Sequence, residues 1–380
     1  MQPQSTLGSP NDFIFLARDF AAQDDRFAAA FEVLRTGLAT RSFPGCAVAV
    51  THGGRLVARK ALGRFTYGPD SPMVTPDNIF DLASVTKVVA TTAMAMILYD
   101  RALLELDRPV VELVPEFAGG DLRRREVTLR QLLAHSSGLP AYERLFLHAT
   151  NRDDLLGAAF RAQLVAAPGQ RADYSDIGFI VLGVALERLA SESLDRFCQR
   201  EVFEPLSLKA TRFCPPADWK ARILPTATDP PPQTVIQGVV QGVVQDENAR
   251  VMGGVAGHAG LFGCAEDLAI FAHAMLQGGR PIFRRSTIEL FTQRQSQPKG
   301  TSRALGWDTP STPSQSGRYF SPQSYGHLGY TGTSLWIDPA RQLSVTLLTN
   351  RTWPDCKDQA IQKVRPLFHD AVVEALETSV

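Results

Sequence analysis

Ser84-Val85-Thr86-Lys87 opens an apolar run that continues through Met94 to Leu98. Read as the start of a helix, it places a serine and a lysine three residues apart on one face, with Cβ atoms about 5–6 Å apart. The hydroxyl and the amine can then meet. The N-terminus of such a helix also offers unpaired N–H groups and a positive dipole end, which favour a developing oxyanion. A free lysine titrates near 10.4, whereas a general base works best at about 7–8, a difference of roughly 4 kcal/mol. Burial on the apolar face of the helix is expected to supply that depression. Taken alone, SxxK is also what a surface serine and lysine would look like.

Working outward, Asp25 to Thr40 carries Phe27, Phe31, Leu34 and Leu38 at helical spacing. Cys46–Val50 and Leu56–Leu62 are apolar runs joined by His52-Gly53-Gly54, which reads as a hairpin. Periodic helical segments follow around 84–99, 153–166, 177–190 and 193–203, and residues 214–250, Pro-rich at first, read as irregular loop. Ser334–Ile337 and Leu343–Thr349 are β-prone runs on either side of the turn signal Asp338-Pro339-Ala340-Arg341. A last helix is expected over 358–377.

The predicted fold is therefore α/β: an antiparallel sheet flanked by helices and built from both ends of the sequence, with an inserted all-helical domain. The expected boundaries are a flexible leader at 1–25, an α/β domain at 26–80 and 251–380, and a helical domain with a loop-rich end at 81–250. The active site would lie at the junction, where clefts commonly form.

Composition narrows the function. The 380 residues include 39 Lys+Arg and 39 Asp+Glu, so no net field recruits nucleic acid or an anionic membrane. The longest apolar run, Val88–Leu98, is too short to span a bilayer. Five scattered cysteines with no CxxC pair form neither a disulfide framework nor a zinc site. Together with the absence of a visible secretion signal, they suit a cytoplasmic location; a periplasmic one would follow if a leader had been removed. Neither metal nor cofactor is expected, and nothing in the sequence sets an oligomeric state.

Two further stretches carry reactive groups. Pro168-Gly169-Gln170-Arg171-Ala172-Asp173-Tyr174-Ser175-Asp176 leads through a turn into a helix. A tyrosine beside a lysine ammonium should have its pKa lowered and can shuttle a proton. Gly326-His327-Leu328-Gly329-Tyr330-Thr331-Gly332 precedes the Ser334 strand, and its small residues let a substrate approach backbone N–H donors. His135 and His258 fit no metal spacing and read as parts of structural turns.

In this order the three elements resemble the class C β-lactamase-like superfamily of penicillin-recognising serine enzymes, whose pattern is SxxK, YxN and a KTG or HxG element. Phe80-Asp81-Leu82-Ala83, Leu132-Leu133-Ala134-His135-Ser136-Ser137-Gly138-Leu139-Pro140 and Gly253-Gly254-Val255-Ala256-Gly257-His258-Ala259-Gly260-Leu261-Phe262 are similar to further segments of that superfamily. So is Ala265-Glu266-Asp267-Leu268. The resemblance spans roughly 27–375. It implies a covalent acyl-enzyme on Ser84, Lys87 and Tyr174 as base and acid, and an oxyanion hole from the N–H groups of Ser84 and Tyr330. Asp176, His327 and Gly329 would contact substrate.

Two positions depart from the pattern. His327 stands where β-lactamases carry a lysine that anchors the carboxylate of the β-lactam, and a histidine is mostly neutral at pH 7. Asp176 stands where the pattern has asparagine, so it accepts but cannot donate, and it is expected to pair with or orient Lys87. Both favour carboxylic esters over β-lactams, with weak D-alanyl-D-alanine carboxypeptidase or β-lactamase activity as a side reaction. The alternatives are an acyltransferase, a penicillin-binding sensor or scaffold that acylates without turnover, and a dead relative. The tandem Gln237-Gly238-Val239-Val240, Gln241-Gly242-Val243-Val244 is read as a duplication at the rim of the site.

Overall fold

The computed structural model describes residues 16–228 and 238–377. Its strands are Ala17–Arg18 (β1), Gly45–His52 (β2), Arg55–Gly63 (β3), Phe80–Asp81 (β4), Arg212–Phe213 (β5), Ala227–Thr228 (β6), Val239–Val240 (β7), Leu261–Gly263 (β8), Tyr325–Leu328 (β9), Ser334–Asp338 (β10) and Leu343–Thr349 (β11). The main sheet has the order β1-β3-β2-β11-β10-β9. Strand β11 is its seam, pairing antiparallel with β2 (Val345 opposite Val50) and with β10 (Val345 opposite Trp336). The early hairpin and the late strands thus form one sheet, and a mixed α/β fold is what the structure shows.

Alternation along β11 explains why the sheet is covered on both faces. Leu343, Val345 and Leu347 join a cluster with Phe31, Phe368 and Val372, from the helices Ala28–Ala39 and Ile361–Glu377. Leu348 faces the other way, into the larger core. On that side the helix Ala265–Leu276 contacts both β2 and β11. The hairpin turns where its sequence says it should: Gly53 and Gly54 have φ of 54° and 78°, as a two-residue turn matching strand twist requires.

Several expectations need correction. The leader is not loose throughout. Ala17–Arg18 pairs parallel with β3, Gln23–Arg26 is helical, the Gln23 side chain accepts from the Arg59 N–H, and Lys60 binds Asp24. Its polar residues are those that satisfy an open sheet edge; residues 1–15 lie outside the described ones. The segment 153–166 is helical only as Arg152–Arg161. The buried Arg124 guanidinium donates to the carbonyls of Phe160 and Ala162, capping the helix there. The 214–250 stretch is not all irregular: β6 pairs with β7, and Glu247–Val251 is a helix capped by Asp246. The first tandem unit is described only from Gly238 onward.

Residues 84–99 do not form one uniform α-helix either. A 3-10 turn at Ala83–Val85 passes into a π-helical stretch, Lys87–Thr92, and only then into the α-helix Ala93–Asp100. All six residues of the π stretch are buried. Among the described residues, no helix is long and apolar enough to cross a membrane. All five cysteines are free thiols.

Candidate active site

Ser84 sits on a strained elbow. Ala83 before it has φ of 46°, the left-handed region that a side chain rarely adopts. The Asp81 carboxylate holds this bend by accepting from the Ala83 N–H at 2.8 Å. Two hydroxyls of the turn after β9 fasten the other side: Thr331 donates to Asp81 O at 2.7 Å and Thr333 to Leu82 O at 3.0 Å. Gly329 makes this approach possible, since a Cβ there would stand 2.6 Å from Leu82 O and 2.0 Å from Thr333 Oγ1. The nucleophile candidate and the turn bearing Tyr330 are thereby locked together.

Lys87 is fully buried behind Ser84 and uses all three of its donors. Nζ lies 3.0 Å from Ser84 Oγ, 2.6 Å from Asp176 Oδ1 and 2.9 Å from His258 O. Tyr174 OH donates to the same Ser84 Oγ at 2.7 Å. The sequence expectation about basicity is corrected here. Burial does push the Lys87 pKa down, but the Asp176 carboxylate and Tyr174 outweigh it, and the net direction is up. Tyr174 is not depressed either: burial, with Asp176 adding to it and Lys87 opposing, pushes the phenol up to about 12. The resting site is therefore an ammonium and a neutral phenol, both donating to the serine oxygen.

The helix Asp176–Ala190 places Asp176. Its cap, Ser175, accepts from Gly178 N–H at 2.9 Å and donates to Pro140 O at 2.6 Å. That helix meets the glycine-rich turn so closely that a Cβ on Gly257 would stand 2.2 Å from Phe179 O. Thr91 and Lys87 donate to the carbonyls of Gly257 and His258 from the other side. The glycine-rich segment is thus the spacer between the two helices that carry Lys87 and Asp176.

Two histidines are structural in different ways. The His135 ring packs between Tyr174 (centroids 4.7 Å apart) and Phe179 (4.9 Å), and its Nδ1 accepts from the Ser175 N–H. Burial holds it far below its ordinary pKa, so it is a neutral spacer that orients the tyrosine. His258 contributes its carbonyl to Lys87 while its Nε2 meets Asp246 Oδ1 at 2.8 Å. The HxSGLP and glycine-rich motifs contained both residues, but nothing in the sequence tied either to Lys87 or Tyr174.

His327 is buried beside Tyr174, ring centroids 6.0 Å apart, and burial lowers its pKa to about 3. Its Nδ1 lies 2.7 Å from Leu328 O. A carbonyl can only accept, so Nδ1 carries the proton and Nε2 is left as an acceptor. Tyr330 is half exposed, with the Arg351 guanidinium over its ring, and its carbonyl accepts from Arg351 Nε at 2.6 Å. Ser84, Tyr174, Asp176, His327, Gly329 and Tyr330 all line one cavity of about 1030 Å³. Arg303, Arg351 and Arg365 line it too, and no motif or spacing marks them in the sequence.

Residues 30–365 match the family described as Beta-lactamase. An N-acetylmuramyl-L-alanine amidase of Bacillus subtilis (strain 168) is 33% identical over 346 residues, covering 81% of this chain and 77% of its own. A candidate D-alanyl-D-alanine carboxypeptidase of Escherichia coli (strain K12) is 30% identical over 344 residues, covering 81% and 79%. Among solved structures, EstCE1, a hydrolase with promiscuous acyltransferase activity, superposes with a TM-score of 0.76 at 21% identity, over 93% of this chain and 100% of that one. The likeness to EstCE1 concerns the fold; the family match and the two relatives carry further, and by them this chain belongs to the β-lactamase family of serine hydrolases.

Proposed function

We propose that Ser84 is the nucleophile of an acyl-enzyme mechanism acting on carboxylic esters. The observation that carries this is the convergence of Lys87 Nζ (3.0 Å) and Tyr174 OH (2.7 Å) on one serine oxygen at the cavity wall. Once the Lys87–Tyr174 pair has lost one of its protons, Ser84 Oγ attacks the carbonyl carbon and passes its own proton to that pair, which returns a proton to the alkoxide leaving group as the C–O bond breaks. Water then attacks the acyl-enzyme, releasing the acid and restoring the serine. The N–H groups of Ser84 and Tyr330 would hold the oxyanion.

The ester preference rests on two acceptors where a β-lactam site needs donors: neutral His327 and anionic Asp176. A second reading, hydrolysis of an amide bond, is favoured by the relatives named as an amidase and a carboxypeptidase. In the test, intact mass is measured after a fluorophosphonate, alongside rates on short p-nitrophenyl esters, nitrocefin and a D-Ala-D-Ala peptide. One adduct that disappears in Ser84→Ala, and esters turned over faster than nitrocefin, are expected. Full-rate labelling of Ser84→Ala would refute the nucleophile, and preference for the peptide would select the second reading.

A further inference from the structure

His258 reaches Lys87 only through its carbonyl, and its side chain has no part in the reaction just described. That carbonyl sits on a permissive stretch of backbone. Gly253, Gly254 and Gly260 have φ of 83°, 85° and 118°, and glycine leaves a chain many alternatives. The ring of His258 supplies an anchor. It is 1% exposed, its Nε2 lies 2.8 Å from Asp246 Oδ1, and its Nδ1 is buried with no partner. Among the described residues Asp246 therefore makes the only hydrogen bond to the ring. Burial pushes the Asp246 carboxyl up, but His258, the Ala249 N–H and Lys87 together outweigh it, and the net direction is down. An ionised carboxylate can only accept, so Nε2 is the donor.

Asp246 is itself firmly mounted. Its Oδ1 also accepts from the Ala249 N–H at 2.7 Å, capping the helix Glu247–Val251. Within that helix the buried Asn248 side chain accepts from the Phe146 N–H at 3.0 Å and donates to Glu143 O at 2.8 Å. The preceding residue, Gln245, donates its N–H to Asp81 Oδ2 at 2.6 Å. The other oxygen of that carboxylate holds the Ala83 elbow. One dipeptide, Gln245-Asp246, thus ties the bend beneath Ser84 to the carbonyl beneath Lys87.

Once Lys87 has lost a proton, its amine has two N–H groups and one lone pair. With Asp176 and the 258 carbonyl taking the N–H groups at 2.6 and 2.9 Å, the lone pair is left for Ser84 Oγ at 3.0 Å. A carbonyl free to drift would let the amine rotate and lose that aim. We propose that Asp246 and His258 are positioning residues, a side-chain pair that fixes the 258 carbonyl and so directs the Lys87 amine at Ser84. This rests on the reading that Ser84 is acylated. A merely structural pair, pinning the short helix to the glycine-rich turn, would change how many molecules fold and not how fast each one works.

The test follows p-nitrophenyl acetate turnover in His258→Ala, His258→Asn and His258→Gln, with kcat expressed per site labelled to completion by a fluorophosphonate. Glutamine can place an N–H where Nε2 stands, whereas the asparagine amide falls short of it. In His258→Ala and His258→Asn, kcat per labelled site should fall about 10²-fold with KM little changed, and His258→Gln should recover most of that loss. The alkaline limb of kcat/KM should move to lower pH by about one unit in His258→Ala, because the ammonium has lost a well-placed acceptor. An unchanged kcat per site and an unmoved limb in folded His258→Ala would overturn the proposal. So would a His258→Gln enzyme about 10²-fold slower per site than the wild type, whether or not the shorter variants fold. A Ser84→Ala protein that still turns the ester over would overturn the reading beneath the proposal, a result that no His258 variant can produce.

Discussion

Asp176 Oδ1, 2.6 Å from a lysine with no exposed surface, sets the proton balance of the site. Because it keeps Lys87 protonated, the reactive form requires loss of a proton, so kcat/KM should climb with pH and level off on the alkaline side. Asp176→Asn removes the first of the upward influences and leaves burial, which acts downward. The alkaline limb should therefore move to lower pH; a limb that stays put or moves up contradicts this. Lys87→Ala and Tyr174→Phe should each cost about 10²–10⁴ in rate, and the double variant should be little worse than the poorer single one, as for residues acting as a unit. Fully additive losses would separate them into different steps. At this scale the sequence was informative about identity and misleading about charge. SxxK and the Tyr174 segment named the groups that meet, but spacing carries no information on which carboxylate lies behind a lysine. Arg303, Arg351 and Arg365 were illegible for a related reason: isolated arginines far apart in the chain look like solvated surface.

The elbow at Ala83–Ser84 is held by an element remote in sequence, the turn between β9 and β10. Thr331→Val should leave the buried Asp81 carbonyl short of a donor, costing about 1–3 kcal/mol, and should slow fluorophosphonate labelling of Ser84 as well. Gly329→Ala, whose Cβ would collide with Leu82 O and Thr333, should be worse in both. Labelling at the wild-type rate in a destabilised Thr331→Val would show that the tie serves stability alone. The hairpin at His52-Gly53-Gly54 and the strands around Asp338-Pro339 were legible because turn chemistry is local. The π stretch at Lys87–Thr92 was not, since its cause is tertiary: Lys87 and Thr91 both reach across to the 257–258 carbonyls. The two units of the tandem repeat have matching burial. Val240 and Val244 are both buried, Val239 and Val243 both exposed, and Gln241 donates to Lys220 O and Ile223 O. Deleting either tetrapeptide yields the same chain, so one set of contacts can always be kept. Such a variant should lose only about 1–2 kcal/mol while its Ser84 still labels; a chain that fails to fold would show that both units are needed together.

Across the whole molecule, acid should be more damaging than the zero net charge suggests. Burial brings His327 and His369 down to about 3 and His135 well below its ordinary value, so each is neutral when folded. A folded pKa below the unfolded one contributes stability that is complete above about 6.5 and is lost as pH falls toward 3. Asp81, raised to about 6 by burial, works the other way and gains stability on acidification over part of that window. Tm should therefore fall between pH 7 and pH 5, and His369→Gln should make the fall shallower; a slope unchanged by that substitution would remove His369 from the account. The seam strand has a different consequence, in the order of synthesis. The β2–β3 hairpin is made early, yet its neighbour β11 ends at Thr349. While the ribosome is still translating the intervening residues, Val48 and Val50 lack the cover that Phe368 and Val372 give them, and one strand edge stands open. The nascent chain must therefore be shielded until β11 has emerged, and expression should respond to chaperone supply more steeply than the stability of the finished enzyme would indicate.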